Sequence, residues 1–558
     1  MISIRALSAA TTLSFGLAIA GMATPAAADT LVDNVQGITI GKDGEVERFT
    51  GLWIDDDGRI RQVLRRNDDR PAKPDFALDG KGKYLVPGMI DSHLHVMDLG
   101  IAAMTLDLSG STSLDDALSM ISAYAAQNPS LPWIIGRGWN QEVWGLGRFP
   151  TAADLDAVVA DRPVFLERAD NHAHWANSNA IERAGITAKT ADPDGGRIIR
   201  VAGSRKPAGV FVDNASNLIR AVVPELRAAD RDVAFAKAQE RLLSMGVTAV
   251  ADMGTDIEDW QTFRRAGDLG RLKIRIMSYA KGVDQMALIG GPGPGPWLYD
   301  DRLRLNGVKL SIDGALGSRG AWLKQPYSDD AGNTGLPMID PTKLRNLMSR
   351  AALERFQIAV HAIGDAANAD LLYAIEELAP TYTGDRRWRV EHAQILDPAD
   401  LGQFGRHGII ASMQPVHQTS DRLMAEARLG TARLDAAYAW RSIAATGAKL
   451  AFGSDAPVES PEPFAGLAVA ISRTDSDGEP FGGWYPSQTV SREAALAAFT
   501  SDGAYAGFAD GRFGRLVRGE RADFLLLDRD PLLANARDLR ETKLFETWVN
   551  GERLYEAP

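Results

Sequence analysis

Cysteine is absent from all 558 residues, and this one absence excludes disulfides, thiolate-held zinc, iron–sulfur clusters and cysteine nucleophiles together. Positive charge is short as well: 61 Lys and Arg stand against 73 Asp and Glu, a net of −12 at pH 7. Such a chain lacks the field that gathers phosphate backbones, so nucleic acid is not expected as a partner. Histidine is scarce, at eight residues. Any metal must be held by those few imidazoles, by carboxylates or by something less ordinary. With 45% hydrophobic and 24% charged residues, the remaining composition excludes disorder, collagen-like repeats and a multi-span membrane protein.

The start, MISIRALSAATTLSFGLAIAGMATPAAADT, has one cation at Arg5, a weakly apolar run from about Ala6 to Ala20, Pro25, and Ala26-Ala27-Ala28 before Asp29. A run of this kind is too short for a span of about 20 residues. It reads as a signal peptide over 1–28, which predicts export, a periplasmic location if the source is Gram-negative, and no membrane attachment after cleavage.

Residues 30–85 alternate short β-type runs with turn signals at Lys42-Asp43-Gly44 and Asp57-Gly58, and the last fifty residues repeat that texture, with Asn550-Gly551 as a hairpin signal. One discontinuous sandwich built from 29–85 and 506–558 is expected. Between them lie eight β-type runs that finish in polar residues: GMIDSHLHV, TAVADMG, IRIMSYA, GVKLSIDG, QIAVHAIG, RVEHAQ, GIIASMQP and KLAFGSDAP. Helix-like segments separate most of them, and eight is the number that closes a parallel barrel. The gap between the first two runs is too long for one crossover, so residues 105–240 read as an insertion. The expected fold class is therefore α/β: a (β/α)8 TIM barrel over 86–505 with an insertion after its first strand, plus the small composite β-sandwich.

His93 and His95 are spaced i, i+2 in a strand-like run, which aims both rings at one side of the sheet. His361, His392 and Asp455 close three further runs, at the rim where such barrels perform chemistry. Singly, each histidine reads as a hydrogen-bonded core or surface residue. Jointly, four histidines and an aspartate at strand ends indicate a metal centre for Zn, Mn, Fe or Ni.

The strings VPGMIDSHLHV, RADNHAHWANSNAI, GVTAVADMGT, VKLSIDGALGSRGAWL, VHAIGDAAN, EHAQI, FGSDAPVESPEP and RADFLLLDRDP, in this order, resemble the amidohydrolase superfamily, specifically amidohydrolase family 3 and its N-substituted formamide deformylase-like branch. The resemblance covers nearly the whole chain after the leader. It implies a binuclear centre of divalent metal, zinc first with Mn, Fe, Co or Ni as alternatives. His93, His95 and Asp455 would hold one ion, His361 and His392 the other, and Lys309 would bridge them as a carboxylated lysine. A strand lysine in a crowded cationic site should shed its charge, and CO2 addition turns it into a bridging carboxylate. An unmodified Lys309 paired to Asp313, or a mononuclear site, remains open.

The chemistry expected is hydrolysis by a hydroxide shared between the metals. Asp455 would take its proton and pass it to the leaving nitrogen, with pure ligation as its alternative role. His172 stands where the family also has a histidine and reads as a catalytic pocket residue near the substrate carbonyl, or else as a structural histidine; His174 reads as accidental. Asp213, Arg319, Gln414 and His417 are candidate substrate-pocket residues. Arg319 would either meet a substrate carboxylate or fasten a loop, and loop structure explains Gln414 and His417 equally well. The Trp- and Gly-rich WNQEVWGLGRF segment favours an apolar substituent on the substrate, against ordinary packing of the insertion. The expected partner is a small amide-type molecule carrying a non-peptide C–N bond, N-formyl, N-acyl or cyclic. The alternatives are an ester, lactone or carbamate hydrolase with the same centre and a non-catalytic periplasmic binding protein. Oligomeric state stays open.

Overall fold

The computed structural model describes residues 29–558, so the proposed leader lies outside the described residues. Eight parallel strands form one sheet in chain order: β1 Met89–Leu94, β2 Val247–Thr255, β3 Arg275–Lys281, β4 Leu303–Ser311, β5 Gln357–Ala362, β6 Arg389–His392, β7 Ile410–Met413 and β8 Leu450–Phe452. These are the eight runs legible in the sequence. They are buried almost throughout, as expected of strands covered by helices on the outside and by their own side chains within. The first and last strands meet where Asp455 N–H donates to His93 O at 2.7 Å and His95 N–H donates to Ala456 O at 2.8 Å. Gly453 allows that meeting, because a Cβ there would lie 2.5 Å from Asp91 Oδ1 and 2.6 Å from His93 N. The result is a nearly closed barrel of the TIM type.

The crossover helices start where the sequence provides caps. Asp340 accepts from Lys343 N–H ahead of Pro341–Leu353, and Asp256 accepts from Asp259 N–H ahead of Ile257–Asp268.

The long excursion after β1 forms its own six-stranded sheet between Leu106 and Asp213. Its end differs from the expected boundary at 240. Helix Ala228–Ser244 packs Ala234, Phe235, Ala238 and Leu242 against Leu94, Val96 and Val250 of the barrel. Those apolar positions recur at helical spacing, which makes this segment the crossover helix leading into β2, outside the insertion.

Strands from both ends of the chain share one six-stranded sheet, in which Phe524–Leu527 pairs antiparallel with Tyr84–Pro87. A second sheet of four strands holds Thr30–Asp33, Gly51–Ile54, Ile60–Leu64 and Phe76–Asp79. Val32, Leu52, Ile60, Leu85, Phe524 and Trp548 belong to the apolar cluster that these two sheets enclose. The three hairpin signals each connect an antiparallel strand pair.

Candidate metal centre

His93 and His95 project from β1 and its end toward Asp455, just past β8. His95 Nε2 lies 3.3 Å and His93 Nε2 3.5 Å from Asp455 Oδ1. Asp455 has φ 60°, a left-handed conformation that turns its carboxylate back over the strand ends. Burial pushes its pKa up, but His93, His95 and His392 outweigh that and hold it well below the usual carboxylate range. Its Oδ1 is buried without a hydrogen-bond donor.

Behind His93 stands a buried acid. The Nδ1–H of His93 donates to Glu391 Oε2 at 2.6 Å, and both side chains are fully buried. Arg389, also buried, donates to Glu391 Oε1 at 2.8 Å and to Ser92 O, Ser412 Oγ and Tyr279 Oη. Burial acts to raise the Glu391 carboxyl, but the Arg389 charge and the His93 hydrogen bond win and bring it to about 2. The carboxylate therefore stays ionised and fixes the ring so that Nε2 faces the centre, the backing expected of a metal-bound imidazole. Glu391 was absent from the expected residue set. Its sequence signal was only its place beside His392 in EHAQI, and strand neighbours normally face opposite sides. His392 escapes that rule with φ 73°, so both residues reach the interior.

His392 donates Nδ1–H to Gln414 Oε1 at 2.9 Å, and its ring centroid lies 4.6 Å from those of His93 and His361. His361 Nε2 is 3.5 Å from both Asp313 Oδ1 and Gly314 O. Lys309 reaches the same space, with Nζ 3.3 Å from His93 Nε2. Burial lowers its pKa. Asp313, the alternative partner for Lys309, instead accepts backbone N–H groups from Trp322, Ile363 and Gly364. Among the described residues, two groups place donor atoms close enough to share a cation: His93, His95 and Asp455, and His392, His417 and Asp455.

Two adjoining cavities of about 240 Å³ each open above these residues and share Asp170, His172, His361, His392, Asp455 and Val458. One extends past Leu316, Leu423 and Met424, the other past Asp98, Lys281 and Lys309. The insertion supplies His172, whose Nδ1–H donates to Asp213 Oδ1 at 2.7 Å. Burial acts to lower this imidazole, but Asp213 raises it to about 9. Asp213 itself sits in a glycine socket of the loop after β4: a Cβ on Gly314 or Gly320 would come within 2.6 Å of its Oδ2. Asp213 thus supports His172 from behind.

Several expected pocket residues lie elsewhere. Gln414 is buried behind His392. Arg319 pairs with Asp329 at 2.9 Å and lines neither cavity, so it fastens a loop and does not face a substrate carboxylate. His174 pairs with Glu167 and stacks on Phe165. Trp139, Trp144 and Trp175 pack on one another with ring centroids 6.0–6.4 Å apart, inside the insertion's own core. The neighbouring Asn140, Glu142 and Val143 line the cavity. The Trp-rich segment therefore serves packing, and the inference of an apolar substituent from it does not hold.

Comparison with known proteins agrees with this architecture. The pattern of the Amidohydrolase family matches residues 77–555. Protein LONG AFTER FAR-RED 3 of Arabidopsis thaliana is 35% identical over 493 residues, covering 85% of this chain and 83% of that protein. The N-substituted formamide deformylase of Arthrobacter pascens is 27% identical over 527 residues, covering 89% and 94%. Among solved structures, an uncharacterized metal-dependent hydrolase from Pyrococcus horikoshii OT3 superposes with a TM-score of 0.72 at 26% identity, covering 91% of this chain and 99% of that one.

Proposed function

Because this chain belongs to the amidohydrolase family, whose metal-dependent hydrolase fold it shares, we propose that it cleaves a non-peptide C–N bond in a small amide, formamide or cyclic amide. The observation that carries the reading is Asp455: a buried carboxylate with one oxygen lacking any donor, set 3.3–3.5 Å from two imidazole Nε2 atoms at a cavity floor. That donor set fits a divalent cation. The formamide deformylase relative supports the choice of a C–N bond.

In this reading His93, His95 and Asp455 would hold one divalent cation, zinc first, and His361, His392 and a carboxylated Lys309 would hold a second. Lys309 suits that role because its amine is buried 3.3 Å from His93 Nε2, where burial outweighs the pull of Glu391 and Asp455 and lowers its pKa. When bound, such ions acidify water and polarise a carbonyl. The chain's own groups do the rest. Asp455 takes a proton from the attacking water and returns it to the leaving nitrogen. Glu391 keeps His93 in one tautomer, and His172, held by Asp213, faces the substrate from the insertion. The enzyme is read as exported, with its mature chain starting at Asp29; N-terminal sequencing of protein recovered from its native cells checks this.

The test is a panel of formamides, N-acyl amines, cyclic amides, esters, lactones and carbamates, assayed with Zn, Mn or Co and after chelation. Metal-dependent amide cleavage supports the reading. Cleavage of esters alone moves the activity to the C–O class, and binding without turnover makes the chain a binding protein. Two metals per chain with added density on Lys309 Nζ are expected in a crystal structure; one metal and a bare lysine would refute the binuclear centre.

A further inference from the structure

Four histidines of the centre have their Nδ1 atoms fixed by a neighbour, and one differs from the other three. His93, His392 and His172 each donate Nδ1–H to an acceptor oxygen, on Glu391, Gln414 and Asp213. At His93 that leaves the Nε2 lone pair facing Asp455 and Lys309, as a ligand requires. At His417 the polarity is reversed: Gln394 Nε2–H donates to His417 Nδ1 at 3.3 Å. The hydroxyl of Tyr438 packs on the other side of the Gln394 amide, 3.4 Å from Oε1, and gives its proton to Asp421 Oδ2 at 2.7 Å. With Nδ1 accepting, the single proton of a neutral imidazole must sit on Nε2.

That Nε2–H has no hydrogen-bond partner although it is buried. It lies 3.8 Å from Asp455 Oδ2, and His417 lines the cavity beside His392. A buried donor without an acceptor is destabilising, and this one stands at a cavity where a bound molecule can supply the acceptor. Resting on the hydrolase reading above, we propose that His417 is a catalytic hydrogen-bond donor to the scissile carbonyl oxygen, and that Gln394 is the positioning residue that sets its tautomer. Attack from beside Asp455 pushes charge onto the carbonyl oxygen, and a preorganised N–H there stabilises the developing oxyanion. No proton leaves the imidazole: it donates throughout, and Asp455 carries the proton traffic. The competing assignment makes His417 a cation ligand with His392 and Asp455, which requires a bare Nε2.

Selective 15N-histidine labelling of the zinc-loaded protein decides between them, since only eight histidines contribute. The His417 signals, identified by their loss in His417→Leu, should show the proton on Nε2, and Gln394→Glu should move it to Nδ1. Zinc per chain should not change in either variant. With 4-nitroacetanilide as substrate, His417→Leu and Gln394→Glu should each lower kcat by about 10²–10³-fold, the loss typical of one oxyanion donor, with KM within about threefold. His417→Gln, which can place an amide N–H in the same space, should recover part of the loss. Gln394→Met removes the Nδ1 donor without adding charge and guards against misfolding of the Glu variant. Loss of a zinc ion in His417→Leu, or a wild-type proton on Nδ1, overturns the proposal. If wild-type protein cleaves nothing, the proposed activity fails, while the tautomer measurement still judges the hydrogen-bond arrangement.

Discussion

Asp455 has to satisfy geometric and chemical demands at once, and its backbone shows how. A residue at φ 60° pays a steric penalty that Asn and Asp bear better than other side chains apart from Gly. Asp455→Asn therefore keeps the turn and the shape while removing the carboxylate charge and the proton acceptor. Turnover should fall below detection with the melting temperature little changed; retained turnover with intact metal would rule out the proton shuttle. Glu391 acts one step further back. Glu391→Gln leaves an oxygen near His93 Nδ1 but strips the charge facing Arg389, so zinc affinity should drop about 10–100-fold, read by competition with a chromophoric chelator. An unchanged affinity would show that the ring is held without it.

At the scale of elements, glycines record which segments must touch. Gly453→Ala forces a methyl group against Asp91 and the His93 backbone at the join of β8 with β1, and overpacking of this kind costs about 1–3 kcal/mol. A lower urea midpoint with loss of metal is expected. Gly314→Ala pushes on the Asp213 carboxylate and should displace His172 while leaving the barrel intact. Turnover should then fall by up to about 10²-fold, the cost of a 1 Å misplacement, with zinc content unchanged. The same elements show what the sequence could convey. All eight barrel strands were legible because each is an apolar run ending in polar residues, and His93, His95, His361, His392 and Asp455 were legible as polar breaks in those runs. Glu391 and Gln394 were not, because their work depends on which atom of a distant ring they face, and no spacing encodes that. The two roles open to Arg319, a substrate contact or a loop tie, are separated only by its pairing with Asp329, because sequence offers no periodicity there to say which way a side chain turns. The end of the insertion was misplaced because its length hid the amphipathic pattern of Ala228–Ser244, which belongs to the barrel.

At the scale of the whole molecule, the question is how a sandwich made from both chain ends is held to the barrel. Asp301, just before β4, accepts from Arg59 Nη2 at 3.0 Å, Arg512 Nη1 at 2.5 Å and Arg521 Nε at 2.8 Å. Arg59 comes from the N-terminal segment and the other two from the C-terminal one, so a single carboxylate ties three parts of the chain. The turn that presents it is itself strained, with Tyr299, Asp300 and Asp301 at φ 52°, 56° and 62°. Arg275 steadies it by donating to Asp300 O at 2.7 Å and Asp301 O at 3.2 Å while pairing with Asp523. Burial acts to raise the Asp301 carboxyl, but Arg521 and Arg512 outweigh it and lower its pKa below 3.8. A carboxyl lowered on folding contributes stability that is fully present above its unfolded pKa and is lost as pH falls through the folded one. Asp301→Asn suits the left-handed backbone, so its effect isolates the charge. It should destabilise the fold at pH 7 by about 1–2 kcal/mol, less than a fully buried pair because Arg59 and Arg512 are partly exposed, and the gap between variant and wild type should close as pH drops below about 3.8. Hydrogen exchange should localise the change, with amides of Gly51–Ile54, Ile60–Leu64 and Phe524–Leu527 exchanging faster while those of β5 and β6 keep their protection. Equal loss of protection in both regions would mean that sandwich and barrel open as one unit, and that Asp301 does not act as a separate clasp.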